Sequence, residues 1–143
     1  MKAMRHVGIV VTDMEESLKF YRDLLGLKPM VDFEEKGKFI AELSGMDGLV
    51  LHMVKLVADD GGMVELLQYV SHPRKRHQNN ELCEIGPAHV AFTVQDVEKT
   101  VKEFSAKGVF FIHPPLVSPD GKAKVTFCKD PDGTFIEIVE ELH

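Results

Sequence analysis

Two histidines and two glutamates, His6, Glu65, His89 and Glu137, have the residue types and the recurrent spacing to chelate a metal ion. Imidazole nitrogens and carboxylate oxygens together suit a borderline divalent ion such as Zn²⁺, Ni²⁺, Co²⁺, Fe²⁺ or Mn²⁺. What separates these four from the rest of the 7 histidines and 23 acidic residues is repetition. Residues 6–26, HVGIVVTDMEESLKFYRDLLG, return in degenerate form at 89–108 as HVAFTVQDVEKTVKEFSAKG. Laid over each other without gaps, they match His6 with His89, Val7 with Val90, Val11 with Val94, Asp13 with Asp96, Glu15 with Glu98 and Lys19 with Lys102. The glutamates repeat too, since MVELL at 63–67 lies over FIEIV at 135–139. A carboxylate in so apolar a strand costs several kcal/mol unless a cation or hydrogen-bond donors meet it. Each half thus opens on a strand carrying a histidine and closes on one carrying a glutamate, and the repeat would gather the four around one metal.

The elements that position them follow from pattern. Residues 6–11 are apolar on both faces and rich in β-branched side chains, as a strand covered on both sides requires. Asp13 is placed to cap a helix with Glu16 closing a capping box, Met14, Leu18, Tyr21 and Leu25 form one stripe, and Gly26 ends it. In the second copy Asp96 caps, Val97, Val101 and Phe104 form the stripe, and Gly108 stops it. Strand parity puts His6 on the face of Gly8 and Val10, and His89 on that of Ala91 and Thr93, where small neighbours leave space. Strands are expected at 27–33, 38–43, 49–57 and 63–69 in the first module, with a turn at 34–37 and another at Asp59-Asp60-Gly61-Gly62. In the second they are expected at 110–113, 123–128 and 135–140, with Asp130-Pro131-Asp132-Gly133 as the last turn. The fold class is therefore α+β, two βαβββ modules at about 1–70 and 86–143, within one domain, joined by linker 71–85.

The bulk properties exclude several classes. A net charge of −6 and pI near 5.6 argue against a nucleic-acid surface. No run approaches a membrane span and Met1 is followed by no signal or transit pattern, so a cytoplasmic protein is expected. Cys83 and Cys128 are isolated, without metal or disulfide spacing. His52, His72, His77, His113 and His143 have no repeat partner and are assigned to surface, turn or packing. The basic run Arg74-Lys75-Arg76 belongs to a solvated linker; its sharper reading is a contact, shared with His77, to an anionic substrate group.

The pattern His…Glu…His…Glu in two βαβββ modules, the phrase HVGIVVTDMEESLKFYRDLLGL and the ending KDPDGTFIEIVE resemble the vicinal oxygen chelate superfamily, which includes glyoxalase I, methylmalonyl-CoA epimerase, extradiol dioxygenases and fosfomycin or bleomycin resistance proteins. The resemblance implies a curved mixed sheet with a metal-binding cleft, one divalent ion held by His6, Glu65, His89 and Glu137, and a small-molecule substrate with vicinal oxygens. A homodimer in that family's manner is implied with it. The second carboxylate, Glu65, favours proton transfer through a metal-stabilised enediolate over dioxygenase chemistry, with Glu137 as principal base and Glu65 as the alternative. A glyoxalase I-like lyase or isomerase (lactoylglutathione lyase-like) ranks first, although bacterial members typically carry an arginine where this chain has Val10. An epimerase ranks second, because that branch has a different sequence in place of Lys129-Asp130-Pro131-Asp132-Gly133. A metal-free binding protein of bleomycin-resistance type is the third reading.

Overall fold

The computed structural model describes residues 3–76, 80–86 and 89–143. Chain contacts divide it into two compact units, Met1–Arg76 and His77–His143. His77, named above with the basic run, lies outside the described residues.

In the first unit, β1 (Val7–Val10) leads into α1 (Met14–Leu18), which continues as the wider π-helical turn α2 (Lys19–Leu24). Asp13 accepts from the Glu16 backbone N–H at 3.1 Å, and Gly26, at φ 77°, reverses the chain where a side chain would be strained. Strand β2 (Lys28–Lys36), helix α3 (Lys38–Ser44), β3 (Val50–Val57) and β4 (Met63–Tyr69) complete the unit. The sheet order is β1-β4-β3-β2, with β1 parallel to β4 and the other pairs antiparallel.

Residues 38–43 are thus helix, not strand. Phe39, Ile40 and Leu43 stand at helical spacing, Ala41, Glu42 and Leu43 are helix formers, and Gly45 at φ 68° closes the last turn. Ile40 is the buried residue of this helix and packs with Leu49 and Leu51. The expected turn at 34–37 is largely absorbed by β2, which runs on to Lys36.

The second unit repeats the order with β5 (Val90–Thr93), α4 (Val97–Ala106), β6 (Leu116–Val117), β7 (Ala123–Lys129) and β8 (Phe135–Glu141), arranged β5-β8-β7-β6. Residues 110–113 form no strand; a single bridge joins Phe111 to Cys128. Pro114 and Pro115 follow, have no N–H to extend a ladder, and push the chain out of register before β6.

Alternate residues of each sheet face a helix. On that side Ile9, Val54, Leu56, Val64 and Leu66 are buried in the first unit, with Met14, Leu18 and Tyr21 of the helix, while Cys128, Ile136 and Ile138 are buried in the second. One device recurs that pattern alone did not show. The Met14 backbone N–H donates to Gln68 Oε1 at 2.9 Å, and the Val97 N–H donates to Glu140 Oε2 at 2.8 Å. The last strand of each unit therefore pins the start of that unit's first helix, meeting an N–H that no helical carbonyl reaches.

Candidate functional site

Register places the paired residues. In the first unit Gly8 is opposite Glu65 across β1 and β4, and His6 lies two residues before Gly8, on the same face. In the second unit Ala91 is opposite Glu137 across β5 and β8, with His89 two residues before it. The two parallel ladders superpose residue for residue, Val7 with Val64 becoming Val90 with Ile136. Both faces are the more open side of their sheets: Gly8, Val10, Ala91 and Thr93 are exposed.

The side chains meet accordingly. His6 Nε2 lies 2.6 Å from Glu65 Oε2, and His89 Nε2 lies 3.1 Å from Glu137 Oε2. The first pair is the more enclosed, with side-chain exposures of 30% and 7% against 49% and 21% for the second. The structure thus brings His6 to Glu65 and His89 to Glu137. No group of three or more His, Cys, Asp or Glu among the described residues is placed to hold a metal ion.

Imidazole nitrogen and carboxylate oxygen are donor types that suit a divalent ion. Each unit offers one nitrogen and one carboxylate donor, aimed at each other from a single sheet face. His6 Nδ1, the ring nitrogen that faces away from Glu65, is buried with no hydrogen-bond partner among the described residues. Glu65 is a carboxylate nearly out of solvent and calls for positive charge.

Two neighbours of the glutamates escaped sequence reasoning. Lys55 is opposite Glu65 across β3 and β4, its Nζ 3.9 Å from Glu65 Oε1. At the equivalent place in the second unit stands Phe127, opposite Glu137, whose ring meets the His89 ring edge-on at 5.5 Å. The signal was present in the turns: a hairpin closed around Asp59-Asp60-Gly61-Gly62 pairs Val57 with Met63 and so, two residues back and two on, Lys55 with Glu65.

The remaining expectations fall outside these pairs. His52 Nε2 lies 2.7 Å from Asp32 Oδ1 on the surface, and the His72 and His113 rings bond to Ser71 and to the Pro114 carbonyl. Arg76 Nε donates to Thr12 Oγ1 at 3.5 Å within the first unit. Cys83 is exposed and Cys128 buried; burial, helped by the nearby Asp130 charge, pushes the Cys128 thiol up to about 12, so it stays protonated and unreactive at neutral pH. Asn80 donates to the Gly133 carbonyl and accepts from Lys129, both at 2.9 Å, fastening the start of the second unit to its last turn.

Residues 3–138 match the family model described as Glyoxalase/Bleomycin resistance protein/Dioxygenase superfamily. The chain is 31% identical to the lactoylglutathione lyase of Schizosaccharomyces pombe, matching over 96% of its own length but spanning only 47% of that protein. It is 27% identical to the uncharacterized protein YwkD of Bacillus subtilis, covering 99% of this chain and 98% of that one. Among solved structures, a glyoxalase family protein from Bacillus cereus superposes with a TM-score of 0.90 at 21% identity, over 100% of this chain and 96% of that one, a likeness of fold. No helix of the described residues is long and apolar enough to cross a membrane.

Proposed function

Starting from a chain that belongs to the Glyoxalase/Bleomycin resistance protein/Dioxygenase superfamily, we propose a metal-dependent lyase or isomerase of glyoxalase I type, acting on a small molecule with neighbouring oxygens. The observation that carries the reading is the duplicated pair: two units of different sequence each bring one histidine and one strand glutamate into contact at the same register. A repeat that served folding alone would need no carboxylate on either strand. A divalent ion bound by His6, Glu65, His89 and Glu137 would supply Lewis acidity, lowering the cost of removing a proton next to a carbonyl.

The chain's own residues do the rest. Glu137 takes the proton: it is the more open carboxylate, its partner histidine leaves room above Ala91, and Phe127 walls the same face. Glu65 is the second carboxylate and serves as a donor to the ion, since burial and its contact with His6 hold it in place. Returning the proton to the adjacent carbon completes an isomerisation, with Glu137 changing from base to acid.

The test is elemental analysis of the purified protein together with exchange of a substrate C–H proton into heavy water. It should be run with the methylglyoxal–glutathione hemithioacetal and, in parallel, with methylmalonyl-CoA. A stoichiometric metal with exchange on the hemithioacetal is the expected result. Exchange on methylmalonyl-CoA alone would move the protein to an epimerase, and a protein that binds no metal would return it to a ligand-sequestering role.

A further inference from the structure

The Glu65 face of the first unit carries a cation that the repeat does not require and the proton transfer does not use. Lys55 Nζ is 3.9 Å from Glu65 Oε1, close enough for a charge pair but too long for a hydrogen bond. Glu65 Oε2 is already engaged by His6. Lys55's other neighbours by register are Val31 on β2 and, along its own strand, Met53 and Val57, none with an acceptor on its side chain. Three N–H donors therefore lack an acceptor among the described residues, on a side chain only 23% exposed. The comparably enclosed Lys124 reaches Glu98 at 2.7 Å. Lys55 is a half-buried ammonium with an incomplete set of partners.

Resting on the metal-site reading above, we propose that Lys55 binds an oxyanion of the substrate, a carboxylate or phosphate monoester carried by a molecule whose neighbouring oxygens would meet a metal ion at Glu65. A divalent ion held at Glu65 would share its charge and leave Lys55 short of a counter-ion, which an anion on the ligand would restore. The apolar side chains of Val31, Met53 and Val57 lower the local dielectric and strengthen the contact. Phe127 at the equivalent position of the second unit offers no such charge, so Lys55 gives the ligand a charged end at β3.

Three hydroxamates with one chelating head test this: acetohydroxamate with an uncharged tail, succinohydroxamate with a carboxylate and phosphoglycolohydroxamate with a phosphate. Calorimetric titration of the metal-loaded protein should show at least one anionic tail binding about 10-fold or more tighter than acetohydroxamate. Lys55→Met should erase that advantage while leaving metal content and the acetohydroxamate Kd unchanged, and Lys55→Arg should keep it. The tail that loses more names the oxyanion. Metal bound with equal affinity for all three ligands, or an advantage that survives Lys55→Met, overturns the role of Lys55 and leaves the metal site standing. A protein that binds neither metal nor acetohydroxamate overturns the metal-site reading and Lys55 with it.

Discussion

The first unit seats its glutamate almost out of solvent between an imidazole and an ammonium, whereas the second leaves its glutamate partly open beside a phenyl ring. The opposite side of the two sheets shows no such divergence: the ladder register, the Asp13 and Asp96 caps and the pins from Gln68 and Glu140 are the same construction twice. The contrast has a physical cause. A one-residue slip in a sheet with one packed face sends every buried side chain to the wrong side, so register tolerates little change. Side chains on the open face carry no such constraint. Duplication therefore kept the ladders and the helix starts alike, while the surroundings of the two glutamates diverged.

The comparison breaks most visibly at the carboxylates. Glu137→Gln should cost about 10³-fold or more in proton exchange, while Glu65→Gln should chiefly lower metal content and leave measurable exchange per bound ion. If Glu65→Gln proves the more damaging per ion, the base belongs to the enclosed half.

The packed faces should respond alike. Leu66→Ala and Ile138→Ala, at equivalent and fully buried positions, should each cost about 2–5 kcal/mol in urea unfolding. Very unequal losses would show that the second frame is no longer a copy in energetic terms.

A smaller difference is expected at the helix pins. Glu140→Ala removes a charged acceptor at a helix N-terminus and should cost about 1.5–3 kcal/mol, against about 1 kcal/mol for the neutral Gln68→Ala. Equal losses in thermal melts would mean that the charge contributes nothing there.

The smallest functional effect should come from Cys128→Ser, which should keep both metal and turnover. Its thiol nevertheless marks alkaline stability. Because the folded state raises its pKa from 9.0 to about 12, the unfolded chain ionises first. Stability is then held below pH 9 and lost as pH rises from about 9 to 12, and Cys128→Ser should flatten that decline in an unfolding series.

The pairing of His6 with Glu65 and of His89 with Glu137 was legible before the fold because a repeat converts weak signals into a strong one. A strand histidine or a strand glutamate alone says little, but His6 with Glu65 and His89 with Glu137 recur at matched offsets, and the ladders pair them as the alignment implies. The caps were legible because they are local chemistry. Residues 38–43 were misjudged because a short apolar run fits either element, and helix-forming Ala41, Glu42 and Leu43 ahead of Gly45 outweighed its strand-like look. Lys55 was missed because its meaning is not local: a lone lysine in a strand looks solvent-facing until hairpin register sets it against Glu65.

The place of β1 in its sheet has a consequence for how the protein is made. β1 is made before the other strands of its unit, yet its ladder partner is β4, the last strand of the same unit, and β5 stands in the same relation to β8. Neither histidine can meet its glutamate until the ribosome has released nearly the whole unit and the β3–β4 or β7–β8 hairpin has offered an edge. Closing so long a loop is entropically slow and comes late in folding. A half-made unit therefore carries its histidine without the glutamate that meets it in the finished fold.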